Sequence, residues 1–121
     1  KIMPPETTAI ALGAEQVSQL SAIVAYVGGI HHHIDPDYYG MDLAALQVLG
    51  KRLESENPFS FDFESHLLLE TAVMAADTYS ARRGYDPVAN LDAQEFEDLM
   101  RLMADIHGAM LDKTGGRLKL K

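Results

Sequence analysis

The sequence predicts an all-α fold, an antiparallel four-helix bundle paired as a homodimer, and three observations carry that prediction. Apolar residues recur every three or four positions in four separate segments, which is the spacing of one face of a helix. Glycine, proline or a capping acid bounds each segment, and connectors of about five to eight residues favour antiparallel neighbours.

The first helix is expected over about 8–27, with Ile10, Ala14, Val17, Leu20, Val24 and Val27 on its main stripe and Leu12 and Ile23 broadening it. A stripe that wide should touch two partners, and Gly28-Gly29 ends it. Asp35-Pro36 offers an N-cap followed by proline at the first helical position, so a second helix is expected over 36–56, or from near Asp42 if Gly40 breaks it. Tyr39, Leu43, Leu46, Leu49 and Leu53 supply its apolar face, and Asn57-Pro58 stops it. The alternation Phe59-Ser60-Phe61-Asp62-Phe63 resembles a short strand, but no segment stands out as its pairing partner, so it is read as a loop. Asp62 then caps a third helix over 62–83, with Phe61 placed to pack on Phe63 or His66 and with Gly84 as terminator. Asp92 and Glu95 form a capping-box pattern opening a fourth helix over 92–113. Its seam of Phe96, Leu99, Met103, Ile106 and Met110 is the strongest periodic signal in the chain.

At 121 residues the chain is one domain, 1–121. Lys1-Ile2 before Met3 and the basic tail 114–121 are set aside as flexible or non-native additions. All 18 acidic residues but only five basic ones lie between Pro4 and Asp112, a net of −13 for that body. Such a surface repels nucleic acid and anionic lipid and points to protein or small-molecule partners. The absence of cysteine excludes disulfides, thiolate metal sites and cysteine nucleophiles. With no run of 18 apolar residues, no segment is expected to span a membrane, and a cytoplasmic location is expected.

Catalytic and metal motifs find little support. Gly-x-Ser-x-Gly, the phosphate-binding Gly-x-x-x-x-Gly-Lys and Gly-x-Gly-x-x-Gly are absent, and an enzyme is not expected. His31-His32-His33 reads as surface histidine, since adjacent imidazoles do not converge on one metal without a bend. His66 and Glu70 share a helix face one turn apart, and His107 is a further candidate ligand, but no Glu-x-x-His occurs; neither metal nor cofactor is assigned.

Aromatic residues in connectors are more telling. Tyr38, Tyr39 and Met41 in one connector and Phe59 and Phe61 in the next are not required by a bundle core, and they are the candidate partner-binding residues. Plugging the bundle ends is their alternative role. The surplus of apolar positions on the first and last helices points to a homodimer.

The segment Ile34-Asp35-Pro36-Asp37-Tyr38-Tyr39-Gly40-Met41-Asp42-Leu43, in an acidic, cysteine-free helical chain of this length, resembles the QslA-type antiactivators of bacterial quorum sensing. That resemblance implies a dimeric, non-enzymatic regulator that binds a LuxR-type transcription factor and blocks its dimerisation and DNA binding. Two other readings stay open: a metal- or ligand-binding bundle using His66, Glu70, His107 or His31 to His33, and an antitoxin or immunity-type inhibitor masking a basic enzyme.

Overall fold

The computed structural model describes residues 8–28, 42–82, 84 and 88–113. In chain order these form strand β1 (Thr8–Ile10), helix α1 (Ala14–Gly28), helix α2 (Leu43–Ser55), strand β2 (Phe59–Phe61), helix α3 (Phe63–Arg82) and helix α4 (Ala93–Lys113). The described structure is thus mostly helical, with four helices and one small sheet.

The predicted helix starts hold where a side chain caps the backbone. Asp42 accepts hydrogen bonds from the amides of Ala44 and Ala45 at 2.9 and 3.2 Å, so α2 starts at Leu43, the later of the two expected starts and not residue 36; 36–41 lie outside the described residues. Asp62 accepts from the Ser65 amide at 2.7 Å and opens α3. The capping box of α4 is reciprocal: the Glu95 amide donates to Asp92 at 2.9 Å and the Asp92 amide donates to Glu95 at 3.0 Å.

Two sequence expectations are corrected. Phe59–Phe61 is a strand and not a loop, because Thr8–Ile10 pairs with it antiparallel in the register Thr8 to Phe61, Ala9 to Ser60 and Ile10 to Phe59. Helix α1 accordingly begins at Ala14 and not near Thr8. Gly13 is its cap: its carbonyl accepts from the Val17 amide at 2.9 Å, and its own amide donates to the Gln16 side chain at 2.9 Å.

Helix α1 packs against both α2 and α3, as its broad stripe requires, while α3 also packs against α4 and α4 against β1. Leu20, Ile23, Val24 and Val27 of α1 are buried with Leu46, Leu49 and Leu53 of α2. Leu69, Ala72, Val73, Ala75 and Ala76 give α3 a buried face dominated by small residues, and Phe96, Leu99, Met103 and Ile106 bury the seam of α4. Met110 packs on that core only in part.

The wide stripe of α1 is therefore used within the chain, which removes the basis for pairing two copies through it. Among the described residues the exposed large apolar side chains are Leu43 and Val48 on α2 and Phe63, Leu67 and Met74 on α3. Phe63 is about half exposed, whereas Phe61 and His66, the other pair of the expected contact, are both buried.

Two helical glycines differ in their surroundings. A Cβ on Gly50 would lie 3.0 Å from Val24 Cγ1, whereas a Cβ on Gly108 would have no neighbour within 4 Å. Val24 is buried and β-branched, so it cannot swing aside easily. Gly108→Ala is therefore expected to raise stability by roughly 0.5–1 kcal/mol through helix propensity, and Gly50→Ala to lower it despite the same gain. Urea midpoints that move the same way for both variants would overturn this account of the α1–α2 contact.

Candidate functional site

A broad concavity lies between α2 and α3, which touch each other less than either touches α1. It is an open groove of about 680 Å³. Ala45, Val48 and Leu49 line it from α2, and Leu67, Leu68 and Thr71 from α3. Leu49 is buried at its floor, while Val48 and Leu67 keep 58% and 48% of their surface open to solvent. These two positions expose apolar area in a concave setting, where a partner can cover it from more than one side.

The polar members of the groove are Asp42, Arg52, Asp62, Glu64 and Ser65. Arg52 is tightly engaged. Its Nε and one Nη donate to Glu56 at 2.9 and 3.3 Å, the same Nη donates to the Ser60 carbonyl at 2.8 Å, and the other donates to Ser65 Oγ at 3.1 Å. Its guanidinium also lies 4.5 Å from the centre of the Phe59 ring. One side chain of α2 thus reaches β2 and α3 together and sets the spacing of the groove at that end. The hydrogen bond and the charge of Arg52 hold the Glu56 carboxyl below the ordinary glutamate range, with a smaller contribution from the Ser60 backbone. The Arg52 charge is in this way matched by Glu56. Asp42, Asp62 and Glu64 remain as the unbalanced charges, and Glu64 has no hydrogen-bond or ion-pair partner among the described residues.

The aromatic residues proposed as a partner surface divide into two groups. Tyr38, Tyr39 and Met41 lie outside the described residues. Phe59 and Phe61 are fully buried, with ring centres 4.5 Å apart, so the expectation that they meet a partner is corrected. Their alternation along β2 directs both rings to one face, into the core, and leaves Ser60 to the other. They form part of the groove's foundation and not its surface.

The candidate ligands do not form a site together. His66 is buried, and its Nε2 lies 3.0 Å from the Met103 carbonyl of α4. A carbonyl can only accept, so Nε2 carries the hydrogen and is not available to a metal while that bond stands. His107 lies beside it, with ring centres 5.5 Å apart and the rings tilted by 38°. Among the described residues no three His, Asp or Glu side chains converge as metal ligands, and His31 to His33 lie outside those residues.

Sequence reasoning missed Arg52, Val48 and Leu67. Val48 lies off the apolar stripe of Leu43, Leu46, Leu49 and Leu53, and Leu67 is one of many apolar positions in its helix, so nothing in the spacing marks the two as neighbours across a groove. No family model matches the chain, and no curated protein or solved structure matches it either.

The ion pair at the end of the groove makes a pH prediction. A carboxyl whose native pKa is depressed stabilises the fold fully above its unfolded-state value, about 4.3 for glutamate, and loses that contribution as pH falls through the lower native value. The stability difference between wild type and Glu56→Gln is expected to stay constant from neutrality to about pH 5 and to shrink in more acid solution. Denaturant midpoints across this range check it, and a difference that persists unchanged in acid would count against the pair.

Proposed function

We propose that this chain is a non-enzymatic regulatory protein that acts by docking another polypeptide on the surface formed by α2 and α3. In this reading its target is a cytoplasmic transcription factor of the LuxR type, and covering that factor's dimerisation surface keeps it from DNA. The observation that carries the reading is the concentration of exposed apolar side chains. Leu43, Val48, Phe63, Leu67 and Met74 all belong to two neighbouring helices, beside a groove whose remaining charges are acidic. Steric competition of this kind needs apolar anchors and a complementary shape, and it needs no reacting groups.

The resemblance of 34–43 to the QslA-type antiactivators supports the class of target. The charge of the body supports the manner of approach, since a net of −13 attracts a basic surface from a distance and loses its reach as salt screens it. A homodimer belongs to the same proposal, paired through a face other than the α2/α3 groove, so that the groove stays free for the partner.

Multi-angle light scattering on mixtures with a purified LuxR-type ligand-binding domain tests the function. The expected outcome is loss of the regulator dimer in favour of a mixed complex. Regulator dimers that persist at saturating protein would refute it.

A further inference from the structure

We infer that the α2/α3 groove accepts a short amphipathic helix of the partner, with apolar anchors on one face and lysine or arginine at its ends. The inference rests on the reading of the chain as a polypeptide-binding protein and specifies what the groove holds.

The walls decide between a helix and an extended segment. Both sides of the groove are helices, whose backbone groups bond along their own length and leave no strand edge for pairing. A peptide lying there extended would lose water from amides and carbonyls that the groove cannot replace. A helix brings its backbone bonds with it and offers only side chains. From Asp42 to Arg52 the α2 wall runs for about 15 Å at 1.5 Å per residue, enough for roughly three turns of a docked helix. Apolar anchors at i, i+3 or i+4, and i+7 then fall along that length, against Ala45, Val48 and Leu49 on one side and Leu67 and Leu68 on the other.

Charge decides the ends. Arg52 is cancelled by Glu56 and bound to Ser60 and Ser65, so it offers little to an incoming carboxylate. Asp42, Asp62 and Glu64 remain. Asp42 and Asp62 cap α2 and α3, whose N-termini each contribute roughly half a positive charge. Among the described residues, three carboxylates against two half charges leave the lining negative. Cationic residues flanking the anchors are attracted and acidic ones repelled.

The probes are three capped helical peptides of about 14 residues, titrated into the full chain by fluorescence anisotropy. One has leucines on a single face and lysines at both ends, the second replaces the terminal lysines with glutamates, and the third keeps the first composition with its leucines scattered. The first is expected to bind at least about tenfold more tightly than either of the others. Val48→Asp and Leu67→Asp alter exposed positions, so thermal unfolding should be little changed while each weakens the first peptide by about tenfold or more. Glu64→Lys should weaken the lysine-ended peptide and improve the glutamate-ended one. Equal binding of the three peptides, or indifference to Val48→Asp and Glu64→Lys, would overturn the assignment, as would a free chain whose dimer dissociates on Val48→Asp, since a second copy would then fill the groove. Failure of this inference is separable from failure of the function. If Val48→Asp and Leu67→Asp still break up the regulator dimer, the blocking of that regulator stands, while the α2/α3 surface and the groove assignment fall.

Discussion

Four interactions converge on the guanidinium of Arg52, and the shape of the α2/α3 surface depends on them. An exposed ion pair between Arg52 and Glu56 alone would contribute little. Here the planar fork also satisfies the Ser60 carbonyl of β2 and the Ser65 hydroxyl of α3 while lying over Phe59. Three consecutive elements are thereby tied together by one side chain, while α2 and α3 touch each other sparsely. If leucines closed that space, the groove would become core. Because an arginine and a serine span one end, the rest stays open and its apolar walls stay uncovered.

Much of the architecture can be read from the chain because its helix starts are written in local chemistry. Asp42, Asp62 and the Asp92/Glu95 box each satisfy amides that would otherwise lack partners, and their signals do not depend on tertiary packing. The first helix was harder to place because Ile10 and Leu12 continue its apolar period across a glycine. Gly13 with Gln16 is a weaker cap signature than an aspartate, and the pairing of Thr8–Ile10 with Phe59–Phe61 spans some fifty residues. Period-two alternation at Phe59 to Phe63 was visible, but a strand is defined by its neighbour, and a three-residue neighbour carries almost no pattern of its own.

The site was less legible than the fold for a related reason. An aromatic residue in a connector looks like a recognition element until the connector is known to be a strand facing inward, as with Phe59 and Phe61. Conversely, Val48 lies off the apolar stripe of its helix and Leu67 is one apolar residue among many in its own, so neither marks a shared groove until α2 and α3 are placed side by side. Position along α3 then separates two jobs within one turn. His66 turns to α4 and bonds the Met103 carbonyl, while Leu67, one residue on, faces the groove.

The central position of α3 has a consequence for how the molecule opens. It packs against α1 and α4 directly and meets α2 and β2 as well, whereas α2 leans mainly on α1. Assemblies built around such a spine fray from their margins, so amide exchange should be slowest along the buried face of α3 and should reach α2 through a smaller, partial opening. A ligand bridging α2 to α3 would join that margin to the spine. Its arrival would then register as slowed exchange in α2, while the backbone of α4 would stay as protected as before.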